Sequence, residues 1–104
     1  MIEWLKKYNV NIVSLTHPKS TVSELSSLGK GACVMANAVI NPGCIIQEGV
    51  IINSSASIDH DCKINKHTHI CPGVNIAGGV SVGQNCWIGM GSKIIENIIN
   101  KIKN

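Results

Sequence analysis

From Val22 onward, every sixth residue is a large aliphatic. The series runs Val22, Leu28, Val34, Ile40, Ile46, Ile52, Ile58, Ile64, Ile70, Ile76, Val82, Ile88 and Ile94 without an insertion. Four residues after most of these stands a small side chain: Ala32, Ala38, Cys44, Val50, Ala56, Cys62, Thr68, Val74, Val80, Cys86 and Ser92. Gly, Asn and Pro fill many positions between, as in Asn41-Pro42-Gly43 and Gly78-Gly79. A period of six matches neither the 3.6-residue turn of a helix nor the alternation of an ordinary strand. It fits a chain coiled with straight edges and regular corners. Each edge turns one large and one small residue inward, and the corners need residues that accept tight bends. Three edges close a triangular coil of 18 residues, and stacking sets residue i on residue i+18 at the strand spacing of about 4.8 Å. The pattern therefore predicts an all-β chain, a parallel β-solenoid of about four coils over residues 22–94.

Both ends leave the period. Residues 1–21 are expected to form a cap or linker. Within it, residues 2–8 suit a short amphipathic helix, Asn11 to Leu15 an extended run, and His17-Pro18 a turn into the solenoid. Beyond Ile94, the residues Ile95, Ile98, Ile99 and Ile102 fall at helical spacing. Residues 95–104 are therefore expected to form a capping helix whose apolar stripe covers the last coil. Lys101 and Lys103 would lie near its C-terminal end, where cations suit the helix dipole.

Composition sharpens this picture. Ile occurs 17 times and Phe not at all, so the core must be aliphatic and rich in β-branched side chains, which favour strands. The net charge is +3 and every cation is Lys. Without Arg forks or many stacking rings, a nucleic-acid partner is not expected. No stretch approaches the roughly 20 apolar residues of a membrane span, and the start of the chain lacks the apolar run of a signal peptide. Five Cys, an odd number, point to free thiols in a reducing cytoplasm, with a disulfide scaffold as the weaker alternative.

Candidate chemistry centres on Asp59-His60-Asp61. The phase turns His60 outward at a corner, where an imidazole near neutral pKa suits a general base and Asp61 or Asp59 could orient it. A solvated corner histidine is the plain alternative. Gly78 and Gly79 lie one coil above His60 and Asp61, which predicts a hollow beside the base. His69 is nine residues from His60, half a coil away on another side of the prism. A site using both would have to lie between subunits, which argues for a homotrimer. The outward aliphatics Val39, Ile45 and Ile51 point the same way. Cys44, Cys62 and Cys86 take the small inward phase and read as core filler, whereas Cys71 is phased outward without an activating partner.

The hexads 76–81, 82–87 and 88–93 resemble the repeat of the left-handed β-helix acyltransferases, and the left-handed sense is implied by that resemblance alone. The segments Ile52 to Cys62, Thr68 to Val74 and Ala77 to Val80 are similar to the sugar O- and N-acetyltransferases of the sialic acid and nucleotide-linked amino-sugar type. The resemblance implies acetyl transfer from acetyl-CoA to a sugar or nucleotide-sugar, with no metal. It implies His60 as base, Asp61 assisting where the family usually has Glu, and His69 contacting the acetyl donor. It further implies Asn53 holding the acceptor and Gly78 and Met90 lining the coenzyme A groove. It covers residues 10–97. Most of the family's N-terminal Rossmann-like sugar-nucleotide domain and its last coils have no counterpart here.

Two other readings remain open at this stage. One is a non-enzymatic module, a shortened relative that trimerises without turnover. The other is a zinc enzyme of γ-carbonic-anhydrase type, with His60, His67 and His69 as ligands, although that family's ligand spacing is not reproduced.

Overall fold

The computed structural model describes residues 14–90, 92–94 and 98–99. The repeat becomes a row of two-residue strands. In chain order they are β1 (Leu15–Thr16), β2 (Thr21–Val22), β3 (Ser27–Leu28), β4 (Cys33–Val34), β5 (Val39–Ile40), β6 (Ile45–Ile46), β7 (Ile51–Ile52), β8 (Ser57–Ile58), β9 (Lys63–Ile64), β10 (His69–Ile70), β11 (Asn75–Ile76), β12 (Ser81–Val82), β13 (Trp87–Ile88), β14 (Lys93–Ile94) and β15 (Ile98–Ile99). Every third strand joins one sheet. The first sheet is β1-β4-β7-β10-β13, the second β2-β5-β8-β11-β14, and the third β3-β6-β9-β12-β15. All pairs are parallel. The result is a three-sided parallel β-solenoid.

The register is the predicted 18-residue coil: Val34 lies against Ile52, and Ile52 against Ile70. From β4 to β13 the second residue of each strand is buried. Ile40, Ile46, Ile52, Ile58, Ile64, Ile70 and Ile88 are fully buried, as are the small partners Ala38, Val50, Ala56 and Val74. Thr68 is the buried polar member of that series. Its hydroxyl donates to the Gly83 carbonyl at 2.6 Å and accepts from the Cys86 N–H at 3.2 Å, so its burial leaves nothing unsatisfied.

The corners carry a second period, which hydropathy alone does not show. From Gly31 to Asn85, every sixth residue has a positive φ, whether Gly or not: Asn37, Ser55, Asp61, His67 and Asn85 share it with five glycines. This left-handed residue aims its N–H along the solenoid axis. Asp61 N–H bonds the Pro42 carbonyl at 3.0 Å, and Gly79 N–H bonds the His60 carbonyl at 2.9 Å. The corners are thereby stitched to the coils below them, as the edges are.

The ends differ from expectation. Residues 2–8 and 11–13 of the expected cap lie outside the described residues, but Leu15–Thr16 already pairs with Cys33–Val34, ahead of the Val22 boundary. Thr16 occupies the inward phase, and a search for aliphatics skips it. Of the expected helix over 95–104, residues 95–97 and 100–104 lie outside the described residues. Ile98–Ile99, however, is a strand on Ser81–Val82, not a helical turn. The helical spacing there is also what a coil shortened by one residue produces. Among the described residues, no helix is long and apolar enough to cross a membrane.

Candidate active site

His60 and Asp61 occupy the corner between the second and third sheets, between β8 and β9. The Asp59 carboxylate accepts the His60 N–H at 2.8 Å and fixes the start of the turn. The positive φ of Asp61, +55°, swings its carboxylate back toward the preceding ring. His60 Nδ1 and Asp61 Oδ2 stand 3.1 Å apart. A carboxylate accepts, so Nδ1 carries the proton and Nε2 is left with the lone pair. Both side chains are exposed, at 62% and 71%. The pair is thus open to a ligand yet fixed in direction.

Glycines one coil to either side make this placement possible. A Cβ on Gly78 would stand 2.5 Å from His60 Nε2 and 2.6 Å from Cε1. A Cβ on Gly43 would collide with the Asp61 carboxylate. The hollow expected beside the base is therefore filled by the base itself, because the imidazole lies over Gly78. Gly79 keeps open space instead, with nothing within 4 Å.

The second cluster lies on the first sheet. His69 opens β10, with Ile51 and Trp87 as its register partners. Its ring meets Trp87 at a centroid distance of 4.8 Å and a tilt of 51°. Its Nε2 is 3.2 Å from the Asn53 amide nitrogen. Asn53, expected to hold the acceptor, is therefore a partner of His69. Met90 is 76% exposed at the corner after β13, whereas Gly78 sits at the His60 corner, across the second sheet. Within one chain, the structure joins His60, Asp61 and Gly78, and separately Asn53 and His69. Trp87 and Gly43 were missed by motif reading. The 18-residue step finds both, since they stand one coil from His69 and from Asp61.

Within one chain the three histidines of the zinc reading stand apart. His67 lies in the turn after β9, His60 at the preceding corner and His69 on the first sheet. Among the described residues, no three His, Cys, Asp or Glu side chains gather to hold a metal. Cys71 is 6% exposed, which corrects its outward phasing. The described cysteines are all free. Burial pushes the Cys62 thiol up, with the charges of Cys44 and Asp59 adding and backbone hydrogen bonds to Val80 and Gly79 opposing. Its nucleophilicity at neutral pH is correspondingly low. Val39, Ile45 and Ile51 sit on three different sheets, so they ring the prism and do not form one patch. One column of outward apolar residues does form on the first sheet, where Leu15, Cys33, Ile51 and Trp87 align with His69.

Fold and corner together define a hexapeptide-repeat β-solenoid that carries an oriented His–Asp pair on its surface. No family model and no curated protein matches the sequence. Solved structures do, acetyltransferases among them. The acetyltransferase domain of PglB from Neisseria gonorrhoeae, solved alone and in complex with acetyl coenzyme A, is 33% identical, with a TM-score of 0.91 over 96% of this chain and 49% of that one. PerB from Caulobacter crescentus, in complex with CoA and GDP-perosamine, is 35% identical, with a TM-score of 0.90 over 94% of this chain and 48% of that one. A histidine-to-alanine variant of GDP-perosamine N-acetyl transferase from the same organism is 34% identical, at 0.90. The chain spans about half the length of each.

Proposed function

We propose that this chain carries out acetyl transfer from acetyl-CoA to an amino or hydroxyl group of a nucleotide-linked sugar, with His60 as general base. The observation that carries this reading is the His60–Asp61 pair, Nδ1 to Oδ2 at 3.1 Å, held open over Gly78 on a solenoid similar to sugar acetyltransferases. Nε2 of His60 takes the proton as the acceptor nitrogen or oxygen attacks the thioester carbonyl carbon. Asp61 stabilises the resulting imidazolium. Collapse of the tetrahedral intermediate breaks the C–S bond, and the departing thiolate takes the proton back from Nε2. No covalent enzyme intermediate is needed, in keeping with the raised Cys62 thiol.

His69 lies on the face opposite the His60 corner. For both to serve one reaction, His69 must come from a second copy, and the apolar column around it supplies a face for that copy to cover. This supports a homotrimer with sites between subunits, Gly78 and Met90 bordering the coenzyme A groove from different copies; the left-handed sense of the coils rests on the family resemblance alone. Acetyl-CoA and unpaired thiols both suit the cytoplasm. Light scattering should report three times the chain mass of 11.1 kDa, and a monomer at micromolar concentration removes the shared site.

The deciding experiment is thiol release from acetyl-CoA with a panel of nucleotide-linked amino and hydroxy sugars. Wild-type chain should turn over at least one of them. His60→Ala should lose about 10³-fold in kcat, as expected for a removed general base, with its circular dichroism unchanged. Equal rates for the two proteins refute the assignment.

A further inference from the structure

We infer that Asn53 is a positioning residue that fixes His69 as its Nδ1–H tautomer, and so makes His69 a hydrogen-bond donor. The inference rests on the acetyl-transfer reading only for what that donor does. The geometry itself concerns the resting protein.

The orientation of the Asn53 amide follows from its other partner. The Ser54 backbone N–H lies 2.7 Å from Asn53 Oδ1. A backbone N–H only donates, so that atom is the oxygen and the amide nitrogen is the one facing His69. The amide nitrogen also only donates. At 3.2 Å from it, His69 Nε2 must therefore present its lone pair. A proton on Nε2 would set two donors head to head and lose the bond. In the neutral ring the proton then sits on Nδ1, which meets no acceptor among the described residues. Trp87 against the ring and the backbone pairing of β10 leave the imidazole little room to turn away.

The two histidines thus share a tautomer for opposite reasons and with opposite consequences. In His60, an acceptor at Nδ1 frees a basic Nε2. In His69, a donor at Nε2 leaves the Nδ1–H free to donate. One ring is set to receive a proton, and the other to donate a hydrogen bond where negative charge develops on a thioester oxygen.

The test is Asn53→Asp. Aspartate keeps an acceptor for the Ser54 N–H, so the turn stays capped, but it replaces the donor facing Nε2 with an acceptor. Long-range proton–nitrogen NMR of the wild-type chain should show His69 with Nδ1 protonated and Nε2 unprotonated. In the variant, Nε2 should become protonated while the His60 signals stay in place. A wild-type His69 that averages both tautomers, or that carries its neutral-form proton on Nε2, overturns the inference. In turnover at alkaline pH, the variant should lose roughly 10²-fold in kcat, the usual cost of one oxyanion donor, with the acceptor KM unchanged. A raised KM at unchanged kcat would return Asn53 to acceptor binding and overturn it as well. If the wild type releases no thiol, the acetyl-transfer reading fails, and the ring-nitrogen spectrum still decides this one.

Discussion

Gly78→Ala separates the chemistry of the corner from its stability. The new Cβ would stand 2.5 Å from His60 Nε2, 2.6 Å from Cε1 and 3.0 Å from Cδ2. Favourable carbon contacts lie near 3.5 Å, so the ring must retreat by about 1 Å. It has room to do so, because His60 is 62% exposed and its ring is the end of a rotatable side chain. The fold therefore loses little. Gly78 lacks the positive φ of its neighbour, so alanine fits its backbone. Replacing a compatible glycine even stabilises by about 0.4–1 kcal/mol through the unfolded chain. The displaced imidazole, however, leaves the Asp61 carboxylate, and a 1 Å misplacement of a reacting group costs about 10²-fold. The expected outcome is a melting temperature unchanged or slightly raised, with kcat for thiol release down about 10²-fold. Gly79→Ala is the counterpart. Nothing lies within 4 Å of its added Cβ, but its φ is +75°. It should cost about 1–2 kcal/mol in stability and leave the activity per folded molecule intact. Full activity in Gly78→Ala, or a loss confined to Gly79→Ala, refutes the account of the glycine seat.

Two further outcomes follow from the core. Ile58 is fully buried between Ile40 and Ile76 in the second sheet, so Ile58→Ala should lower the unfolding free energy in urea by about 3 kcal/mol; a loss below 1 kcal/mol would mean that the coil collapses around the cavity. Cys62 ionises less readily folded than unfolded, because burial raises its pKa. Its contribution to stability is therefore complete below the ordinary thiol range and is lost as pH rises through the folded value. Urea midpoints of wild type and Cys62→Ala measured up to pH 10.5 should converge with rising pH, and parallel curves would contradict the assignment.

The setting of His60 was legible in part. Its phase, its acidic neighbour and the glycines one coil away all stand in the string of residues. Their meaning changed once side chains had volume. The absent Cβ at Gly78 read as a hollow beside the base, yet it is the space the imidazole needs. Asn53 shows the same limit. Its resemblance suggested an acceptor contact; the step from β7 to β10 also brings it to His69, and only the Ser54 N–H at 2.7 Å tells which end of its amide faces the ring.

A period of six with alternating large and small members leaves one efficient way to bury its aliphatics, so sequence alone determined the three-sided coil, its 18-residue register and the inward set from Val22 to Ile88. Burial is a sum over many equivalent positions, and a pattern repeated that often survives any local exception. What the tertiary structure alone decided was local: the strand at Leu15–Thr16 where a polar Thr16 holds an inward phase, the strand at Ile98–Ile99 where helical spacing pointed elsewhere, the buried Cys71, and the contacts of His60 with Asp61 and of His69 with Asn53. These turn on particular hydrogen bonds and side-chain volumes, terms too small and too directional to leave a trace in periodicity.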